Sequence, residues 1–272
     1  MNDPIDQFRN AISNAGLTPP EKIISDGAIH RFSSNGKPTN KNGWYILHSN
    51  GIAAGAFGDW REGFTQNWCG KSDKSMTEME RLEHRERIKT MQRQREAEIA
   101  TRKKLAAASA HERWMAASPC TQHDYLTRKG IKPHGAKIEG DKLLIAMRDT
   151  SGMVHSLQTI APDGIKMFMS GGRIKGCYFS IGKPKGALIV CEGFATGASI
   201  HECTGHAVAV AFNAGNLEAV AVALRNKFPD LKIIIAADDD HQTPGNPGLT
   251  KATAAVKAAC ASLAVPLFRE AA

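Results

Sequence analysis

At 272 residues the chain has room for about two domains, and its 42% hydrophobic content is enough for a real core, which excludes a disordered protein. A net charge of +8 and a pI near 9.2, with no basic amphipathic anchor, favour nucleic acid over a membrane surface as partner. The longest apolar run, Ala207 to Leu224, is broken by Asn213, Asn216 and Glu218 and is no membrane span; unpaired cysteines and the absence of a leader before Met1-Asn2-Asp3-Pro4 fit a reducing cytoplasm.

Residues 1–68 read as a small β-rich domain. Asp6 to Ala15 suits a short helix, and Ala28–Phe32, Gly43–His48 and Gly51–Phe57 suit strands separated by turn-rich segments. Trp44, Tyr45, Phe57, Trp60, Phe64 and Trp68 lie near Arg31, Lys37, Lys41 and Arg61. Two readings stand: the aromatics stack on single-stranded bases, or they are the core of a domain with little else to bury. Residues 69–118 form a connecting helix, because Lys71 to Ser118 is polar and free of proline until Pro119, with a start near Ser72 or Ser75. Its apolar positions are too sparse for a coiled coil, leaving a semi-rigid spacer or a merely solvated helix.

Residues 119–185 are strongly basic. Between Tyr125 and Lys185, eleven basic residues, among them Arg128, Lys129, Arg148, Lys166, Arg173 and Lys175, face four acidic ones. From Gly186 onward the balance reverses, to six basic against eight acidic. A basic module ahead of an acidic one suits a polyanion led towards bound cations, although an idle basic surface gives the same tally.

Residues 186–272 alternate strand and helix signals: strand Ala187–Cys191, helix Phe194–Cys203, strand His206–Phe212, helix Leu217–Phe228, strand Leu231–Ala237, helix Leu249–Leu263 and strand Val265–Phe268. This predicts a small parallel sheet, with the Ile-rich third strand buried on both faces. Glu192 follows the first strand and Asp238-Asp239-Asp240 follows the third. Acids at strand ends can cap helices or sit in solvated loops. At two termini of one sheet, Glu192, Asp238 and Asp240 instead describe a divalent-metal site in the sheet crevice, with Asp239 turned away by alternation.

Glu192-Gly193-Phe194-Ala195-Thr196-Gly197, with Asp238-x-Asp240 and Gly245 and Gly248 behind it, resembles the Toprim domain of bacterial primases, topoisomerases and some nucleases, most of all primases of plasmids, phages and mobile elements. Tyr125 to Ile131, Leu143 to Gly152 and Lys166-Met167-Phe168-Met169-Ser170 resemble segments of the primase catalytic core, and Gly36 to Asp59 resembles the N-terminal region of mobile-element primases. The resemblance implies an α/β fold: a Toprim-type parallel sheet with flanking helices, preceded by an α+β primase-core subdomain, a long helix and a β-rich N-terminal domain. It also implies that Arg148 and Lys166 are basic active-site residues, joined by Arg173 and Lys175 as weaker phosphate contacts.

The function so implied is a DNA primase that makes short primers on single-stranded DNA from nucleoside triphosphates, using Mg²⁺ or Mn²⁺, with a replicative helicase as a further partner. The chain departs from the family in three ways. Its six cysteines form no Cys-x-x-Cys, so no structural zinc is expected. Thr196 stands where several primases have a further acid, and no helicase-docking helical domain follows Phe268, as in a fragment or a reduced relative. A non-catalytic single-strand-binding protein and a Toprim nuclease remain as alternatives, with a topoisomerase last.

Overall fold

A computed structural model describes residues 3–49, 51–71, 76–239, 243 and 245–266. It divides into two compact units, Met1–Glu96 and Ala97–Ala272. Helix α2 (Glu78–Ala116) contributes to both. The expected starts at Ser72 or Ser75 lie outside the described residues; Met76 and Thr77 precede the first turn without being helical.

In the first unit, α1 (Pro4–Asn14) begins where Asp3 accepts the Ile5 amide and Pro4 pre-sets the first turn. An antiparallel sheet follows in the order β1 (His30–Phe32), β2 (Gly43–His48), β3 (Ala54–Asp59), β4 (Phe64–Cys69). Strand β3 starts three residues later than the sequence suggests. Strand β4 was not anticipated; Gly63, at φ 65°, makes the turn into it, and β4 pairs with β3 from Phe64 opposite Asp59 to Cys69 opposite Ala54. Phe8 and Ile12 of α1 pack on Tyr45, Leu47 and Phe57, with Trp68 at the margin.

The second unit holds two sheets over a shared core. The first is antiparallel: β5 (Ser118–Pro119), β6 (Lys137–Glu139), β7 (Lys142–Arg148), β8 (Val154–Ile160), β9 (Lys166–Phe168), in that order. Leu143 to Met147 of its central strand are fully buried and pack with Trp114 of α2 and with Tyr125 and Leu126 of α3 (Asp124–Lys129).

The second sheet runs in the order β10 (Phe179–Ile181), β12 (Ala207–Val210), β11 (Ala187–Cys191), β13 (Lys232–Ala236), β14 (Ser262–Ala264). It is parallel except for β10, an antiparallel edge strand that the sequence pattern does not reveal. Helix α4 (Phe194–Thr204) packs on one face; α5 (Leu217–Lys227) and α6 (Pro247–Ala259) cover the other. The expectation that the Ile-rich strand is buried on both faces holds for one face only. Ile233 and Ile235 lie under α5 and α6, whereas Ile234 is half-buried, because α4 packs against β11 and β12 rather than β13. The last strand comes three residues earlier than expected, since Cys260 adopts φ 47° and ends α6 before Ser262; Phe268 is outside the described residues.

Gly197 fixes how closely α4 sits on this sheet. A methyl group there would lie 2.7 Å from Val210 Cγ2 and 3.0 Å from Cys191 Sγ. Gly197→Ala is expected to lower stability by about 1–3 kcal/mol through overpacking, read as a shifted urea midpoint at constant slope.

Candidate metal and nucleic-acid site

Strands β11 and β13 run parallel with Val190 opposite Ile235, so Glu192 and Asp238 emerge at the same, C-terminal end of adjacent strands. Both are half-buried. Ladder bonds continue past the formal strand ends and hold both exits: Ala211 donates to the Cys191 carbonyl (2.8 Å), Phe212 to that of Glu192 (2.8 Å), and Ala237 to that of Ala264 (2.9 Å). Burial pushes the Cys191 thiol up, and the Asp238 and Glu192 carboxylates push it further, so one buried sulfur senses both charges. The pair supplies hard oxygen donors suited to Mg²⁺ or Mn²⁺. Asp240 lies outside the described residues, and among those described no group of three or more His, Cys, Asp or Glu is arranged to hold a metal. Asp239 accepts the Asn246 side-chain amide (2.7 Å), and Asn246 in turn caps α6 at Leu249. That bond ties Asp239 to the start of α6.

The basic residues fall into two groups. Around Tyr125, the Lys166 ammonium lies 5.8 Å from the ring centroid, the Arg128 guanidinium donates to the Pro162 carbonyl (2.7 Å), and Lys129 is exposed. Arg148 belongs to the other group. Its backbone bridges Tyr178, and its guanidinium sits over Trp114, 5.0 Å from the centroid, where burial lowers its pKa. It lines a cleft of about 750 Å³ with His111, Tyr178, Ser180 and Lys227, and neither Glu192 nor Asp238 is among the cleft's walls. Arg173 is tied to Asp149 at 3.1 Å, while Lys175 is exposed.

Asp149 organises this second group. One carboxylate oxygen accepts the Ser151 and Met153 amides and the Ser151 hydroxyl, and the other meets His155 (2.7 Å) and Arg173. Burial alone would raise its pKa, but hydrogen bonds from Ser151 and His155 outweigh that and hold the carboxyl far below its ordinary 3.8. A depressed pKa contributes stability that is complete above the unfolded value and is lost as pH falls through the folded one. Asp149→Asn should therefore flatten the acid limb of stability below about pH 4, measured by thermal melts across the pH series.

Sequence reasoning missed Asn216, which gives no signal beyond an Asn in a turn. It is buried, accepts the Gly176 amide (2.8 Å) and donates to the carbonyls of Cys177 and Ala211 (2.9 Å each). It thus fastens the segment leading into β10 to the strand beside Glu192. The aromatics of the first unit fall into two sets. Trp44, Tyr45 and Phe57 are buried, while Trp60 and Phe64 are exposed. Arg31 and Arg95 both lie over the Trp60 ring, at 5.7 and 5.4 Å.

A largely parallel sheet with acids at adjacent strand ends and helices on both faces is the pattern of a Toprim domain, and residues 187–270 match that family. Almost all of the chain is similar to DNA primase TraC of Escherichia coli: one such protein is 35% identical over 289 residues, 97% of this chain and 26% of the relative. A second DNA primase TraC of Escherichia coli is 33% identical over 284 residues, 97% of this chain and 20% of the relative. The Toprim match is confined to residues 187–270, and the chain spans about a fifth to a quarter of the length of these relatives. A solved primase fragment of the bacteriophage T7 primase-helicase protein overlaps 57% of this chain and 67% of its own, at 16% identity and a TM-score of 0.40. No described helix is long and apolar enough to cross a membrane.

Proposed function

We propose that the chain is the catalytic part of a DNA primase, which joins nucleotides into short primers on single-stranded DNA and serves replication of a mobile element. The observation that carries this reading is the emergence of Glu192 and Asp238 together at the C-terminal ends of β11 and β13. Glu192 and Asp238, with Asp240, would hold Mg²⁺ or Mn²⁺. A divalent ion bound there supplies neutralisation of triphosphate charge and activation of the attacking hydroxyl.

The protein's own contribution is positioning. Glu192 is fixed through its carbonyl by Phe212 and lies beside the N-terminus of α4, whose first turn begins at Phe194. Lys166, Arg128 and Lys129 form a cationic margin suited to phosphates of nucleotide or template. Arg148, Arg173 and Lys175, in the Asp149 region, suit DNA phosphates further along the strand. The proposed division of labour follows the four segments: template handling in 1–68, connection through 69–118, DNA gripping in 119–185 and chemistry in 186–272.

The test is product analysis on mixed-sequence single-stranded DNA with labelled nucleoside triphosphates and Mg²⁺ or Mn²⁺. Short labelled oligonucleotides are expected. Nicked template would replace this reading with a Toprim nuclease, and salt-sensitive binding without any product would replace it with a single-strand-binding protein.

A further inference from the structure

We propose that Phe168 is the surface on which a nucleobase stacks at the carboxylate end of the Toprim sheet, with Phe212 fixing it from behind. The inference rests on the nucleotide-handling role proposed above. Phe168 lies on the edge strand β9 and is 39% exposed. It is two residues from Lys166, so the two side chains leave the same face of the strand. The Phe168 ring meets the Phe212 ring edge-on, with centroids 6.4 Å apart and planes at 77°.

Phe212 is itself unusual. It is buried and adopts φ 74°, a region that bulky side chains avoid and that persists only where surrounding contacts over-determine it. Two contacts do so here: its amide donates to the Glu192 carbonyl, and its ring backs Phe168. The strained residue therefore couples an exposed aromatic to the residue whose carboxylate is the proposed metal ligand.

A matching ligand has a flat, apolar-faced ring attached to a polyanion, because the platform carries Lys166 on the same face and leads to the carboxylate pair. That is a nucleobase, carried by a free nucleoside triphosphate or by single-stranded DNA. Stacking tolerates any base, since every base offers a π face, so no base preference is expected from Phe168 alone.

The test uses the full chain and two fluorescent probes: 2-aminopurine riboside triphosphate, and a single-stranded oligonucleotide carrying one 2-aminopurine. Stacking quenches the fluorophore. Wild type and Phe168→Tyr should quench, and Phe168→Leu, which still covers Phe212 with apolar surface, should not. In primer synthesis Phe168→Leu should raise KM for nucleotide about ten-fold or more while leaving kcat within about two-fold. Quenching of the triphosphate assigns the platform to the incoming nucleotide; quenching of the oligonucleotide alone assigns it to the template. Wild-type quenching and KM in Phe168→Leu, or no quenching of either probe by wild type, overturns the proposal. Because quenching needs no synthesis, a protein that stacks the probes through Phe168 yet makes no primer upholds this inference while defeating the primase reading.

Discussion

Glu192→Gln and Asp238→Asn are each expected to lower metal-dependent primer synthesis by about 10²–10³-fold or more, with DNA binding retained. Both substitutions keep size and hydrogen-bonding capacity while removing the charge that attracts a divalent cation. The strand ladder around Glu192 uses its backbone carbonyl, as an acceptor from Phe212, and the side-chain change leaves that bond intact. The loss should fall on kcat, because transition-state charge is the quantity the ion neutralises. Equal activity in either variant would separate the strand-end acids from the chemistry.

The largest stability effect is expected from Asn216→Ala. One side chain serves three backbone groups, the Gly176 amide and the Cys177 and Ala211 carbonyls, in a fully enclosed position. Each buried group left unpaired costs about 1–3 kcal/mol, and partial rearrangement brings the expected total to roughly 3 kcal/mol. At about 2–4 °C per kcal/mol for a chain of this size, the melting temperature should fall by about 6–12 °C. Asn216→Asp keeps the acceptor for Gly176 but sets a buried carboxylate oxygen against the Cys177 and Ala211 carbonyls, and at neutral pH should lower the melting temperature at least as far as Asn216→Ala. A melting temperature unchanged in Asn216→Ala would mean that the segment leading into β10 is not held from this turn.

The parallel part of the second sheet was legible because its strands are short apolar runs and its acids stand at abrupt ends. Ala187–Cys191 was read to the residue, and the helices between strands were placed within a few positions. What stayed hidden depended on tertiary partners. Strand β10 is three residues long and pairs antiparallel with β12, a contact that local periodicity does not encode. Strand β4 carries polar residues on an exposed sheet edge, so Phe64 to Cys69 looks like loop.

In the candidate site, residue type and strand position singled out Glu192 and Asp238, and the register of β11 and β13 brings both to one end of adjacent strands. Charge alone did not separate Lys166, on a face that leads to Phe212, from Arg148, which the fold turns over Trp114 into another cleft. The strain at Phe212 has no sequence signature, because a left-handed phenylalanine arises from what surrounds it.

The most direct measurement is Mn²⁺ binding by water-proton relaxation, titrated into the full chain and into Glu192→Gln and Asp238→Asn without DNA or nucleotide. Saturable binding by the wild type that is lost or strongly weakened in both variants is expected if these strand ends hold the catalytic cation. Titrations indistinguishable among the three proteins would contradict the assignment of Glu192 and Asp238 as the metal ligands.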